Sequence, residues 1–193
     1  MANPTASKVV AGKPSVVGGA FYGPTATAGP VDGTTALGVG FTGLGYIGDD
    51  GLSETVDRST DKKKAWGGDV VKIVQTDFGA TIKLTLIESL NSDVLKAVYG
   101  DGNVSTTAAT ATEGTEHKVQ VNSDILPMKS WVFEIRDDPA KIRIYVESGQ
   151  VTEIGEVKYT ESDLTGYEIT IECFPDADGN AFVKYINDGV TVP

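Results

Sequence analysis

The glycine run Gly38-Val39-Gly40-Phe41-Thr42-Gly43 matches GxGxxG, a spacing that lets a pyrophosphate approach a helix N-terminus behind a strand. No helical pattern follows it here. The next residues, Leu44 to Gly51, read as another strand and turn, so the run is a glycine-rich arm. Ser59-Thr60-Asp61-Lys62 matches SxxK, which sets a lysine one helical turn from a nucleophilic serine. Neither an SDN nor a KTG segment accompanies it, and its surroundings are a charged loop. Asp49-Asp50 and Asp137-Asp138 offer paired carboxylates, but acid-base work needs two carboxyl groups in different environments across a pocket. Adjacent residues in turns point apart and stay solvated. Asp176-Ala177-Asp178-Gly179-Asn180 has part of a calcium-loop pattern without the full register or the closing glutamate, so a hairpin turn is the simpler reading. Asn103-Val104-Ser105 is a glycosylation sequon that reads as the loop after a helix.

One cysteine, Cys173, and one histidine, His117, exclude a disulfide framework and multi-Cys or multi-His metal centres. Cys173 in Glu168 to Phe174 reads as a small core filler, and His117 as an exposed strand residue. Trp66 and Trp131 have rings that stack on sugars or bases, but on strands they are expected in the core. No nucleophile, base and oxyanion hole come together, so the chain is expected to be no enzyme and to carry no cofactor and no metal. Lys plus Arg 16 against Asp plus Glu 27 gives a net charge of -11. That balance opposes a surface that grips phosphates through counterion release. The first residues hold no apolar stretch behind their charges, and no run of 18 or so apolar residues occurs. Neither signal peptide nor membrane span is expected, and synthesis in a cytoplasm is.

The elements that would position these groups are mainly strands. Residues 1–48 carry three charges, Lys8, Lys13 and Asp32, with 11 of the 23 glycines and four of the eight prolines. This is too poor in charge for a solvated tail and too broken for a central strand. It is expected to be an extended arm whose Val16, Val17, Phe21, Tyr22 and Leu37 are covered by this chain's own sheet or by another subunit. Residues 49–65 switch to high charge without an apolar period and read as a long exposed loop or ribbon. From Gly67 a period of two takes over, with Ile82, Leu84 and Leu86 alternating with Thr81, Lys83 and Thr85. Residues 91–99 change period to a short helix, capped by Asn91 or Ser92 and stopped by Gly100. Strands resume after the Ala/Thr-rich stretch. Trp131, Phe133 and Ile135 share a face of one, and Ile142, Ile144 and Val146 share a face of the next. Asp178-Gly179 signals a hairpin between the last two strands. Seven or eight strands and one helix give no βαβ unit. The expected fold is mainly β, an antiparallel sandwich or open barrel with one short flanking helix, divided as arm 1–48 and β domain 49–193.

Taken in order, four segments resemble one family. The arm 11–30, the stretch from Leu44 to Thr60, the stretch from Lys64 through the helix to Gly100, and the closing Gly166 to Tyr185 are similar to the major tail tube proteins of long-tailed, non-contractile bacteriophages, especially those of actinobacteria. The likeness covers nearly the whole chain and is most specific over residues 44–100. It implies a virion protein that polymerises as stacked six-membered rings around a lumen. It also implies that the subunit itself, a tape measure protein, a tail terminator and distal tail or baseplate proteins are the partners, with DNA in transit and no membrane involved.

Such assembly needs head-to-tail contacts within and between rings, and strand edges that would be a liability in a monomer become joints. The arm residues above are the inter-subunit candidates. Asp49, Asp50, Glu54, Asp57, Arg58, Asp61, Lys62, Lys63 and Lys64 are the ring-stacking candidates. Alternation makes Thr81, Lys83, Thr85, Glu134, Arg136, Lys141 and Arg143 the lumen candidates. This set holds more Lys and Arg than a wall that repels phosphate needs, so either neighbours neutralise those cations or another strand face lines the lumen. A carbohydrate-binding or host-attachment β-sandwich and a capsid-decorating protein are the alternatives from other classes.

Overall fold

The computed structural model describes residues 8–15, 18–25 and 27–191. Among them are eleven strands and one α-helix. In chain order the strands are β1 (Lys13–Pro14), β2 (Ala20–Pro24), β3 (Thr42–Gly43), β4 (Ile47–Lys64) and β5 (Val70–Leu86), followed by helix α1 (Ser92–Tyr99). Then come β6 (Val104–Thr107), β7 (Glu116–Val119), β8 (Lys129–Asp137), β9 (Ala140–Ile154), β10 (Tyr167–Phe174) and β11 (Val183–Asn187). Mainly antiparallel β structure with one short helix is what the alternation predicts. The extra strands are short pieces of the arm and of the Ala/Thr-rich stretch, whose β6 pairs β7 in a separate ribbon.

The main sheet runs β3-β2-β8-β9-β10-β5-β4, with β1 on β8 and β11 on β9. Its organiser is β9, long enough to hold β8 on one edge and two strands on the other. β11 pairs its residues 141–145 and β10 its residues 148–154. The Asp178-Gly179 turn therefore does not join a hairpin. Asp176 accepts the N–H groups of Asp178 and Asn180 at 2.9 and 2.7 Å, and the chain passes from β10 to a strand that continues along β9.

Register explains the core. Ile82, Leu84 and Leu86 on β5 stand opposite Ile171, Ile169 and Tyr167 on β10, and opposed residues of an antiparallel pair share a face. Trp131, Phe133 and Ile135 stand opposite Val146, Ile144 and Ile142, so the two apolar sets share one face of the hairpin. Helix α1 closes this side with Val94, Leu95, Ala97 and Val98. Its start is fixed as expected, by the Asn91 side chain accepting the Asp93 N–H at 2.9 Å, and Gly100 ends it at φ 91°. Glu88 ties the helix entry to the arm by accepting from Asn91 Nδ2 and the Tyr46 N–H at 2.9 and 3.0 Å. It lies over Gly45, whose φ of 69° favours glycine there. Trp131 is buried with its indole N–H donating to the Gly149 carbonyl at 3.1 Å, and Cys173 is buried as a core filler.

Residues 49–65 are not a loop. They lie almost wholly within β4, 18 residues long and paired with the 17 residues of β5, so the charged segment is one limb of a long β-ribbon. Trp66 is not in the core either. It sits fully exposed at the turn of that ribbon.

Candidate functional site

Three surfaces carry the residues singled out from the sequence. Thr81, Lys83 and Thr85 lie on the face of β5 opposite the core, and their partners on β10 are Glu172, Thr170 and Glu168. Beyond β10, Glu153 and Gln150 of β9 continue this face. Lys83 Nζ contacts Glu168 Oε1 at 2.9 Å. The hydrogen bond and charge of Glu168, with Glu153 further off, raise the lysine's pKa. Three glutamates against one paired lysine make this open face polar and acid-rich. The glutamates escaped the sequence reading because β10 is distant in the chain, and only its register beside β5 places them there.

Glu134, Arg136, Lys141 and Arg143 belong to the β8–β9 hairpin, on the side of the sheet away from the core. Here the arm lies over them. Arg143 is only 5% exposed. Its Nε donates to Glu134 Oε1 at 2.9 Å and its Nη1 to the carbonyls of Asp32 and Thr35, both at 2.8 Å. The turn that supplies those carbonyls is built on Asp32, whose carboxylate accepts from the Thr35 hydroxyl and N–H and from the Thr34 N–H, each at 2.6 Å. These bonds, the Thr35 hydroxyl first, hold the Asp32 carboxyl well below its usual pKa. Arg143 and Glu134 are thus an internal pair under the chain's own arm, so Arg143 is not on an open wall. Arg136 pairs with Asp138 at 2.6 Å, which raises the arginine's pKa and lowers the aspartate's. Lys141 stays exposed at the hairpin end.

The arm is held along its length by this chain. Tyr22 is buried opposite Trp131 with ring centroids 5.8 Å apart, and burial pushes its phenol up to about 12. Gly29 packs against the Tyr145 side chain, where a Cβ would be 2.5 Å away, and the Tyr185 hydroxyl donates to the Pro30 carbonyl at 2.9 Å. Phe21 and Leu37 are half-buried and edge a groove of about 390 Å³ between arm and β8–β9. Val16 and Val17 lie outside the described residues.

The third surface is the β4–β5 ribbon beyond Ala80. Along its core-facing side the register opposes Val56 to Ala80, Arg58 to Phe78, Lys62 to Ile73 and Lys64 to Val70. The apolar face of the sheet therefore continues outward with no core beneath it. Val56, Phe78, Ile73 and Val70 are all exposed, and the Arg58 guanidinium lies 4.7 Å over the Phe78 ring. Asp57, Asp61 and Lys63 occupy the other side, Lys63 paired with Asp61 at 2.5 Å. Near the base, Glu54 pairs with Lys184 of β11. Asp49 and Asp50 start the ribbon, exposed, far from the tip. Three cations, Arg58, Lys62 and Lys64, and several apolar side chains held out in water form a surface for a macromolecule, not a reaction centre.

Among the described residues no group of acidic, His or Cys side chains has metal-binding proximity, and no helix is long and apolar enough to cross a membrane. His117 lies on β7, its Nδ1 3.0 Å from the Thr106 hydroxyl.

Against known proteins, a family model described as phage tail tube protein matches residues 1–193. No curated protein matches the chain. Among solved structures, the cryo-EM structure of the anti-feeding prophage cap, a tube terminating cap, is similar at TM-score 0.48 and 9% identity, covering 95% of this chain and 98% of that one.

Proposed function

The chain belongs to the phage tail tube proteins, a structural and non-enzymatic family, and from that premise we propose that it polymerises as stacked six-membered rings whose lumen conducts the genome to the host. The observation that carries the reading is the family match over residues 1–193. The ribbon supports it, since its distal half buries almost nothing within the subunit and exposes an apolar side suited to a neighbour.

The open face of β5, β10 and β9 lines the lumen in this reading, with Thr81 and Lys83 joined by Glu153 and Glu172, while Thr85 and Glu168 mark its margin beside the cleft between β4, β5 and the segment leading into β10. A wall rich in acid repels phosphates within a Debye length of about 8 Å at physiological salt, so DNA passes without being held. Arg143, Glu134 and the arm act within the subunit, and Arg136 and Lys141 sit where ring neighbours meet. Arm and β domain work as one unit, because β2 and β8 are neighbours in one sheet. The subunit is made in the host cytoplasm and is joined in the tail by a tape measure protein, a terminator and distal tail proteins.

Negative-stain electron microscopy of the purified chain over a range of concentrations, beside its sedimentation profile, tests this. Hollow tubes or six-fold rings are expected. A monomer at every concentration that also fails to polymerise on added tail-tip components would sink the reading in favour of an attachment module.

A further inference from the structure

Resting on the self-association proposed above, we propose that the tip half of the ribbon of one copy seats in an acidic cleft at the base of the same ribbon in the next copy. The cleft, of about 800 Å³, lies between the start of β4, the end of β5 and the segment leading into β10. Ile47, Ile87 and Leu164 supply its apolar lining, and Leu164 is 73% exposed. Asp49, Asp50 and Asp163 supply its free charge, since among the described residues none of the three is in an ion pair, while its other charged residues are paired, Lys158 with Glu156 at 3.4 Å and Glu168 with Lys83 at 2.9 Å. The apolar side of the ribbon's tip half has the opposite character. Lys62 and Lys64 are unpaired among the described residues and stand on its apolar side opposite Ile73 and Val70, with Trp66 exposed at the end. Apolar surface with free cations thus faces apolar surface with free carboxylates, the complementarity that fixes register between partners.

The arrangement also says which partner. Base and tip are the two ends of one paired ladder of 18 and 17 residues, about 50 to 60 Å apart at ~3.3 Å per residue. A copy cannot reach its own cleft. Displacing a second copy along the ribbon brings donor to acceptor and leaves a new donor and acceptor free. That contact is heterologous, and it repeats without limit when the rotation does not close it.

Three variants of the full chain test the seat: Lys62→Glu with Lys64→Glu, Asp49→Lys with Asp50→Lys, and all four changes together. Either pair alone opposes like charges, and the concentration needed for polymer should rise at least roughly tenfold. The four changes together should restore polymer at the wild-type concentration, with circular dichroism unchanged throughout. Polymer from either pair at the wild-type concentration, or a folded fourfold variant that stays monomeric, overturns the seat and leaves the tube reading intact. A wild-type chain that never polymerises would instead remove the tube reading itself. Zero-length carbodiimide coupling of wild-type tubes does not depend on how the variants fold. It should join Lys62 or Lys64 to Asp49, Asp50 or Asp163 of another copy, and coupling confined to other pairs overturns the seat.

Discussion

A guanidinium at 5% exposure is tolerable in Arg143 because each of its neighbours accepts a hydrogen bond: the Glu134 carboxylate and the carbonyls of Asp32 and Thr35. Removing it strands a half-buried carboxylate and releases the arm. Arg143→Ala should lower the unfolding free energy by about 3 to 5 kcal/mol in a urea titration, and residues 27–37 should become sensitive to limited proteolysis. Lysine should rescue only part of this, since one ammonium cannot span three acceptors as a planar fork does. An alanine variant with the wild-type urea midpoint would show that the arm is held elsewhere. Asp32 gives the same contact a pH dependence. Its carboxyl is depressed by the bonds from Thr35 and Thr34, so it stabilises the fold above the ordinary carboxylate pKa of about 4, and that contribution is lost as pH falls further. Asp32→Asn should therefore be less stable than wild type at neutral pH, and the gap should begin to narrow below about pH 4 and close only in strong acid. A stability difference that does not change with pH would mean that the carboxylate charge is not what holds the turn.

The ribbon is the element whose role separates most cleanly from stability. From Asp57 to Phe78 its side chains are exposed apart from a partly covered Val74, so shortening it there removes almost no buried area. The trimmed chain should keep its melting temperature within a few degrees and sediment as a folded monomer that forms no tubes. Normal tubes from it would exclude the ribbon from assembly. Sequence alternation located this hairpin only from Gly67 onward, although β4 is as long as β5. Residues 49–65 hide their strand because β4, apart from Leu52 and Val56, brings polar or charged residues to both sides of the ribbon, and period two is visible only where one side is buried. The same cause misplaced Trp66, whose burial was inferred from strand neighbours that turn out to be a turn, Ala65 to Gly68. By contrast β5, β8, β9, β10 and α1 were legible, since each has one face in the core. The acceptors of Arg143 were not, because Asp32 and Thr35 lie more than 100 residues away in sequence. The neighbours of the lumen candidates were hidden for a related reason. Alternation says which residues share a strand face, but register alone puts Glu168 and Glu172 beside Thr85 and Thr81, and the path of the arm alone covers Arg143.

At the scale of the whole molecule, the proposed conduit must be stable as a polymer yet indifferent to its cargo, and in that proposal the two demands fall on different surfaces of the subunit. Away from the ribbon tip, several cations are bonded to protein: Arg143 under the arm, Lys83 against Glu168, Lys184 against Glu54. Carboxylates remain in excess, as the net charge of -11 requires. If the β5–β10–β9 face lines the lumen, its indifference to DNA rests on Glu153 and Glu172, which among the described residues are in no ion pair. Glu153→Lys with Glu172→Lys should leave the core and the ribbon unchanged, so tubes should still form. Their lumens would then attract phosphate. Duplex DNA should enter and be retained at low salt, and each phosphate neutralised should steepen the loss of affinity by about 0.9 in log K per log salt. Wild-type tubes should retain none. Variant tubes that assemble yet bind DNA no better than wild type would place this face on the outside of the tube, and the lumen would then have to be sought on another part of the sheet.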